Sequence, residues 1–175
     1  DIKEEDFQKT SADNLTERLY KEVRDTFSRK TETIAKQAFP VIKNVFEQRG
    51  EMFKNIVVPF TDGKRAYNVV ANLEKTYKSE GEELIRAYEK SIMLAHIDDA
   101  WKEHLREMDD LKQSVQNATY EQKDPLLIYK FESFNLFKSM VDKINKNVVS
   151  TLMKGQIPFE APEEVKQAEE KRTDL

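Results

Sequence analysis

"IDDAWKEHLREMDDLKQSV", residues 97–115, decides the fold. Its apolar side chains fall at Ile97, Trp101, Leu105, Met108, Leu111 and Val115, in steps of 4, 4, 3, 3 and 4. That is the period of one helix face. The stripe reaches back through Ile92, Tyr88 and Leu84 to "SEGE", where Ser79 and Glu82 have the spacing of a capping box that opens a helix. Further on, Asp124-Pro125 supplies an N-cap and a proline suited to the first helical position. A second stripe follows: Leu127, Phe131, Phe134, Phe137, Val141, Ile144, Val148 and Leu152, stopped by Gly155 and Pro158. Two matched stripes joined by a short loop predict an antiparallel helical hairpin with arms about 40 Å long. The predicted seam sets Ile97, Trp101, Leu105, Met108 and Leu111 against Phe131, Phe134, Phe137 and Val141, with the Trp101 ring enclosed.

Upstream, Leu15, Leu19, Val23 and Phe27, then Ile34, Ala38, Val41 and Val45, mark another helix face. Pro40 removes a backbone donor and restricts Phe39, which predicts a kink or break there. Gly50 is the expected stop. The stretch "NIVVPFTDGKRAYNVV" (55–70) changes character: two β-rich runs flank Asp62-Gly63, a dipeptide suited to the centre of a type I′ turn. A short β-hairpin is predicted, with Pro59 confining the first run to an edge. The fold class is mainly α: a long antiparallel helical hairpin packed with a helical segment that carries a short β-hairpin.

Composition narrows the function. Charged residues make up 35% and hydrophobic ones 38%, the balance of elongated helices with wide solvated faces. There is no cysteine, so thiolate metal sites and cysteine nucleophiles are excluded. A net charge of −4 does not suit a nucleic-acid binder. The four glycines, at 50, 63, 81 and 155, cannot assemble a phosphate-cradling loop, and no nucleotide or nucleophile-elbow motif is present. "HIDDAWKEHLREMDD" is rich in potential ligands, yet the residues three before His96 and His104 are Met93 and Trp101. Glu-x-x-His pairing is therefore absent. Local pairs such as Asp98 with Lys102 predict a solvated outer face instead. No cofactor and no metal are expected. The first residue is Asp1, which suggests a piece excised from a longer protein.

One residue resists a purely structural explanation. The connection "NATYEQKDP" (117–125) carries Tyr120 where Asn, Asp, Gly or Ser would satisfy turn geometry. A ring with a hydroxyl at the tip of a hairpin is suited to adaptable contact.

The block "IDDAWKEHLREMDDLKQSV", then Tyr120, then "QKDPLLIYKFESFNLF", resembles the C-terminal helical region of the SecA family, the motor ATPases of bacterial preprotein translocation. The resemblance is carried by residues 88–153. It implies this division: a frayed N-terminus (1–12), a helical wing (13–80) carrying the β-hairpin, a helical scaffold hairpin or two-helix finger (81–156) with its loop at 117–124, and a disordered linker (157–175). It implies a non-catalytic fragment whose finger contacts the SecYEG channel and unfolded preproteins through Tyr120, flanked by Asn117, Gln122 and Lys123. The same finger would restrain the ATPase lobes of the parent chain, where ATP and Mg²⁺ would bind. The parent would be cytoplasmic and peripheral at the inner face of the plasma membrane. Where the family often carries Arg-Gly before the loop tyrosine, this chain has Ala118-Thr119. The alternative reading is a stand-alone helical adaptor that docks a partner helix.

Overall fold

The computed structural model describes residues 10–117 and 124–158. The N-terminal residues 1–9 and the predicted linker from 159 onward lie outside them. The elements run α1 (Ala12–Arg49), β1 (Asn55–Thr61), β2 (Ala66–Asn72), α2 (Leu73–Lys78), α3 (Glu82–Asn117) and α4 (Pro125–Lys154). The fold is mainly α with one two-stranded sheet, as the periodicities predict. The chain divides into two compact units: residues up to Ile56 with Ala71–Ile85, and Val57–Val70 with the chain from Arg86 on.

In the first unit, the Ser11 hydroxyl caps α1 by accepting the Asn14 N–H at 3.4 Å. Of the kink or break predicted at Pro40, the break does not occur: α1 runs through Pro40 as one helix. Pro40 and Lys36, whose carbonyl loses its partner, are both exposed, so water can take the place of the missing donor. Ile34, Ala35 and Ile42 form the buried face of α1. Tyr77 of α2 stacks on Phe46 with ring centroids 4.3 Å apart and on Phe39 at 6.1 Å. The turn from α2 to α3 passes through two left-handed residues, Glu80 (φ 51°) and Gly81 (φ 99°). Gly81 is needed for space as well as conformation, since a Cβ there would lie 3.1 Å from both the Cβ and the carbonyl oxygen of Ala35. Ser79 does not form the predicted capping box. It ends α2, and its hydroxyl accepts the N–H of Glu83 at 3.0 Å, one residue beyond the box position.

The β-hairpin has a single register, fixed by Asp62 N–H to Arg65 O at 3.3 Å and Leu73 N–H to Lys54 O at 3.0 Å. Phe60 therefore faces Tyr67, and Val58 faces Val69. Pro59 sits where the backbone nitrogen points away from β2, which is why an edge strand accepts it. The turn differs from the type I′ expectation. Gly63 has φ 86°, and Lys64 is not among the residues with positive φ, so Gly63 takes the first central position as in a type II′ turn. Asp62 stands just before the centre because its carboxylate accepts the N–H groups of Lys64 and Arg65, each at 2.8 Å. The bond from Arg65, followed by that from Lys64, holds the Asp62 carboxyl below the usual carboxylate range.

In the second unit, Phe60 is fully buried against Tyr88, with ring centroids 4.2 Å apart and planes inclined by 15°. The Tyr88 hydroxyl donates to the carbonyl of Thr151 at 3.1 Å. Directly after α4, Gln156 forms an antiparallel bridge with Thr61, the two backbones exchanging N–H to O bonds of 2.8 and 2.9 Å. Gly155 lets the chain pass: a Cβ there would fall on the Tyr88 hydroxyl and come within 2.8 Å of the ring carbon bearing it.

Burial, reinforced by the charge of Asp62, pushes the Tyr88 hydroxyl up to about 12. The folded state thus disfavours the phenolate relative to the unfolded chain, where tyrosine titrates near ~10. The associated stability is complete below pH ~10 and is lost as the pH rises from there through about 12. Thermal unfolding midpoints should fall steeply across that window, and Tyr88→Phe should make the fall shallower. Identical alkaline profiles for the two chains would show that Tyr88 does not titrate as its burial requires.

Candidate functional site: the open apolar face of the helical hairpin

α3 and α4 pair in opposite directions. His96 Nε2 lies 2.8 Å from the Thr151 hydroxyl, Glu103 pairs with Lys143, and the His104 ring meets the edge of Phe137 at 6.1 Å. As residue numbers rise along α3 they fall along α4, which is the predicted antiparallel hairpin. Beyond Leu84, Ile85, Tyr88 and Ile92 near the start of α3, the buried positions are Ala100, His104 and Val115 on α3, and Met140, Val148 and Thr151 on α4.

That seam is displaced from the predicted one. Trp101 is 46% exposed, not enclosed, and Phe134 is 66% exposed. Ile97, Leu105, Phe131 and Phe137 are exposed too, while Met108, Leu111 and Val141 are half-buried. On α3 the true line of contact runs one residue back, through Ala100 and His104. The reason is the width of the apolar arc. The largest side chains mark the middle of the arc, whereas a neighbour on one side buries only its margin, where small Ala100 permits close approach. His104 fills the next position, buried between Trp101 (centroids 5.6 Å apart) and Phe137, with its Nδ1 unpartnered. The sequence signal was available as the four-residue ladder Ile92, His96, Ala100, His104, but two histidines and an alanine do not register as a core stripe.

The displaced residues share one side. In two antiparallel helices, positions rotated in the same sense from each seam lie on the same flank of the pair. Ile97, Trp101 and Leu105 follow the α3 seam in that sense, and Phe134 and Phe137 follow the α4 seam. The hairpin therefore presents an open apolar flank built from both arms.

The charged face behaves as predicted where Lys102 Nζ meets Asp98 Oδ2 at 2.5 Å, a contact that raises the lysine's affinity for its proton. Among the described residues, no group of three or more His, Asp and Glu side chains is placed to hold a metal ion. A cleft of about 340 Å³ lies among the β-turn, α3 and α4, lined by Arg65, Tyr67, His96, Asp99 and Lys143. Of its rim charges, Arg65 pairs with Asp99 at 3.1 Å and Lys143 with Glu103, while Asp62, Lys64 and Lys154 also line it. Of the predicted contact residues, Tyr120, Gln122 and Lys123 lie outside the described residues, and Asn117 is the last residue of α3. The far side of the connection is as predicted: the Asp124 carboxylate caps α4 by accepting the Leu126 N–H at 2.9 Å, and Pro125 opens the helix. No described helix is long and apolar enough to cross a membrane.

A long helical hairpin with an open apolar flank, joined to a helical unit and a small β-hairpin, defines a helical wing-and-scaffold architecture. The chain belongs to the SecA Wing and Scaffold domain family, which matches residues 2–156. It is 54% identical over 165 residues to the protein translocase subunit SecA of Phocaeicola vulgatus, covering 94% of this chain and 15% of that protein. The SecA of Bacteroides thetaiotaomicron is 55% identical over 165 residues, again 94% of this chain and 15% of the relative. That of Porphyromonas gingivalis is 45% identical over 185 residues, 99% of this chain and 17% of the relative. The chain thus spans less than a fifth of the length of these relatives. No solved structure matches it.

Proposed function

We propose that this chain is the non-catalytic wing and scaffold of a preprotein translocase motor. In this reading its helical hairpin is a finger that meets the SecYEG channel and the moving preprotein at its tip, and restrains the ATPase lobes along its side. The observation that carries the reading is the open apolar flank. Trp101, Phe134 and Phe137 expose more ring surface than a self-sufficient hairpin leaves in water, as expected of a part whose remaining neighbours belong to a larger chain. The relatives supply such a chain, since more than four-fifths of their length has no counterpart here. ATP and Mg²⁺ would bind in that remainder, and the parent would work from the cytoplasm at the inner face of the plasma membrane. No cofactor, metal or nucleic acid enters the fragment's own role. The stand-alone adaptor reading would account for the flank by docking a separate helix, but it leaves the tip tyrosine without a purpose.

The test is made in the full-length parent. Residues 118–123 are replaced by a Gly/Ser segment of equal length, and both preprotein transport and ATP turnover are measured. Transport should be abolished while basal ATP turnover persists. Undiminished transport would overturn the finger reading.

A further inference from the structure

The bridge between Thr61 and Gln156 raises the question of why it is a single bridge. Both of its hydrogen bonds are formed, at 2.8 and 2.9 Å, so the two segments meet in a true antiparallel, hydrogen-bonded pair. In such a ladder the next hydrogen-bonded pair lies two residues along each strand, running backward on β1 and forward after Gln156. Those residues are Pro59 and Pro158. Each lacks the N–H that its position must donate, so both bonds of that pair are lost together. In the other direction the ladder meets the turn at Gly63 and the last residue of α4, Lys154, so it cannot grow that way either.

The coincidence is specific to this edge. Pro59 is at no disadvantage toward β2, because in the Asp62–Arg65 register its nitrogen points away from that strand. Its only effect on pairing falls on the outer edge of β1, the edge that Gln156 meets. Pro158 likewise lies outside α4 and affects only the pairing that would follow Gln156. An exposed strand edge invites pairing with any extended chain, and proline on the edge is an established way of blunting it.

We infer that Pro59 and Pro158 form a two-sided stop, which limits strand pairing between β1 and the segment leaving α4 to the Thr61–Gln156 bridge. The bridge holds the β-hairpin against the end of α4, beside the Tyr88–Thr151 bond, and the paired prolines end the pairing there. The device does not depend on the translocase reading, since it needs only the backbone register.

Amide hydrogen exchange on the 175-residue chain tests it, comparing Pro59→Val, Pro158→Val and the double variant. In the double variant the two new amides should be protected, exchanging about tenfold or more slowly than in a free peptide. In each single variant the opposing proline still withholds its own bond but keeps its carbonyl, so the one new amide should be protected less than in the double variant. The amides of Thr61 and Gln156 report whether the original bridge survives. Free exchange at both new amides in the double variant would overturn the stop, because the pairing would then end for another reason. Loss of protection at Thr61 and Gln156 would overturn it as well, since the prolines would then be building the bridge and not limiting it.

Discussion

Tyr120→Ala in the full-length parent should lower preprotein transport by about tenfold or more, equivalent to at least ~1.4 kcal/mol of lost productive contact. The fragment's helicity and unfolding midpoint should stay near their original values. The expectation follows from what a tyrosine can do at the end of a hairpin. Its ring offers a flat apolar surface and its hydroxyl a hydrogen bond, at the cost of few rotamers. An unfolded chain presents changing side chains and a constant backbone, and such a group can hold either without demanding a sequence. Asn117, Gln122 and Lys123 would add polar support around it. A ring that merely closed the connection, folded onto Pro125 or Leu126, would give the opposite pattern: reduced stability and unchanged transport.

The second large effect concerns the open flank. In the isolated chain, Trp101→Ala should cost only about 1–2 kcal/mol, because a ring 46% exposed forfeits less buried surface than an enclosed one. Full enclosure would raise that to about 3–5 kcal/mol. If the parent chain covers this flank, the same substitution there, combined with Phe134→Ala, should act on the motor. Basal ATP turnover without preprotein should rise several-fold as the restraint on the lobes weakens, while transport per ATP falls. Denaturant unfolding of the fragment and steady-state turnover of the parent measure the two halves of the prediction. A loss above about 3 kcal/mol in the fragment alone would mean that Trp101 is a core residue of the hairpin and that the flank is not an interface.

Much of the architecture could be read from the residues. The stripes on either side of Asp124-Pro125 gave both long helices and their antiparallel pairing. Asp62-Gly63 located the β-hairpin, and Pro59 marked its edge. The departures have a common cause, since each depends on a neighbour that local pattern does not reveal. Pro40 was expected to kink or break α1, and the break does not occur, since Pro40 and the Lys36 whose carbonyl it leaves unpaired both lie on an exposed face open to water. Asp62 was assigned to the centre of its turn, but its carboxylate does more by accepting two N–H groups from just before the centre. The seam was placed on the largest apolar residues, whereas helices approach most closely at small ones, and Ala100 with His104 took that position. Phe60, Tyr88, Thr151 and Gly155 could not be linked from sequence at all. The Phe60–Tyr88 stack joins residues 28 positions apart and the Tyr88–Thr151 bond residues 63 apart, and no periodicity encodes that. The family resemblance rested on motif residues at fixed spacing, which survive such errors of rotation.

The central claim, that the hairpin's tip touches the polypeptide being moved, is tested most directly by cross-linking. A photoreactive residue is placed at position 120 of the full-length parent, and transport is driven by ATP with a preprotein stalled part-way. The account predicts covalent adducts to the stalled chain at many positions along its length, appearing only when transport is under way. Adducts confined to a folded helical partner, or no adduct to the preprotein while transport proceeds, would contradict it.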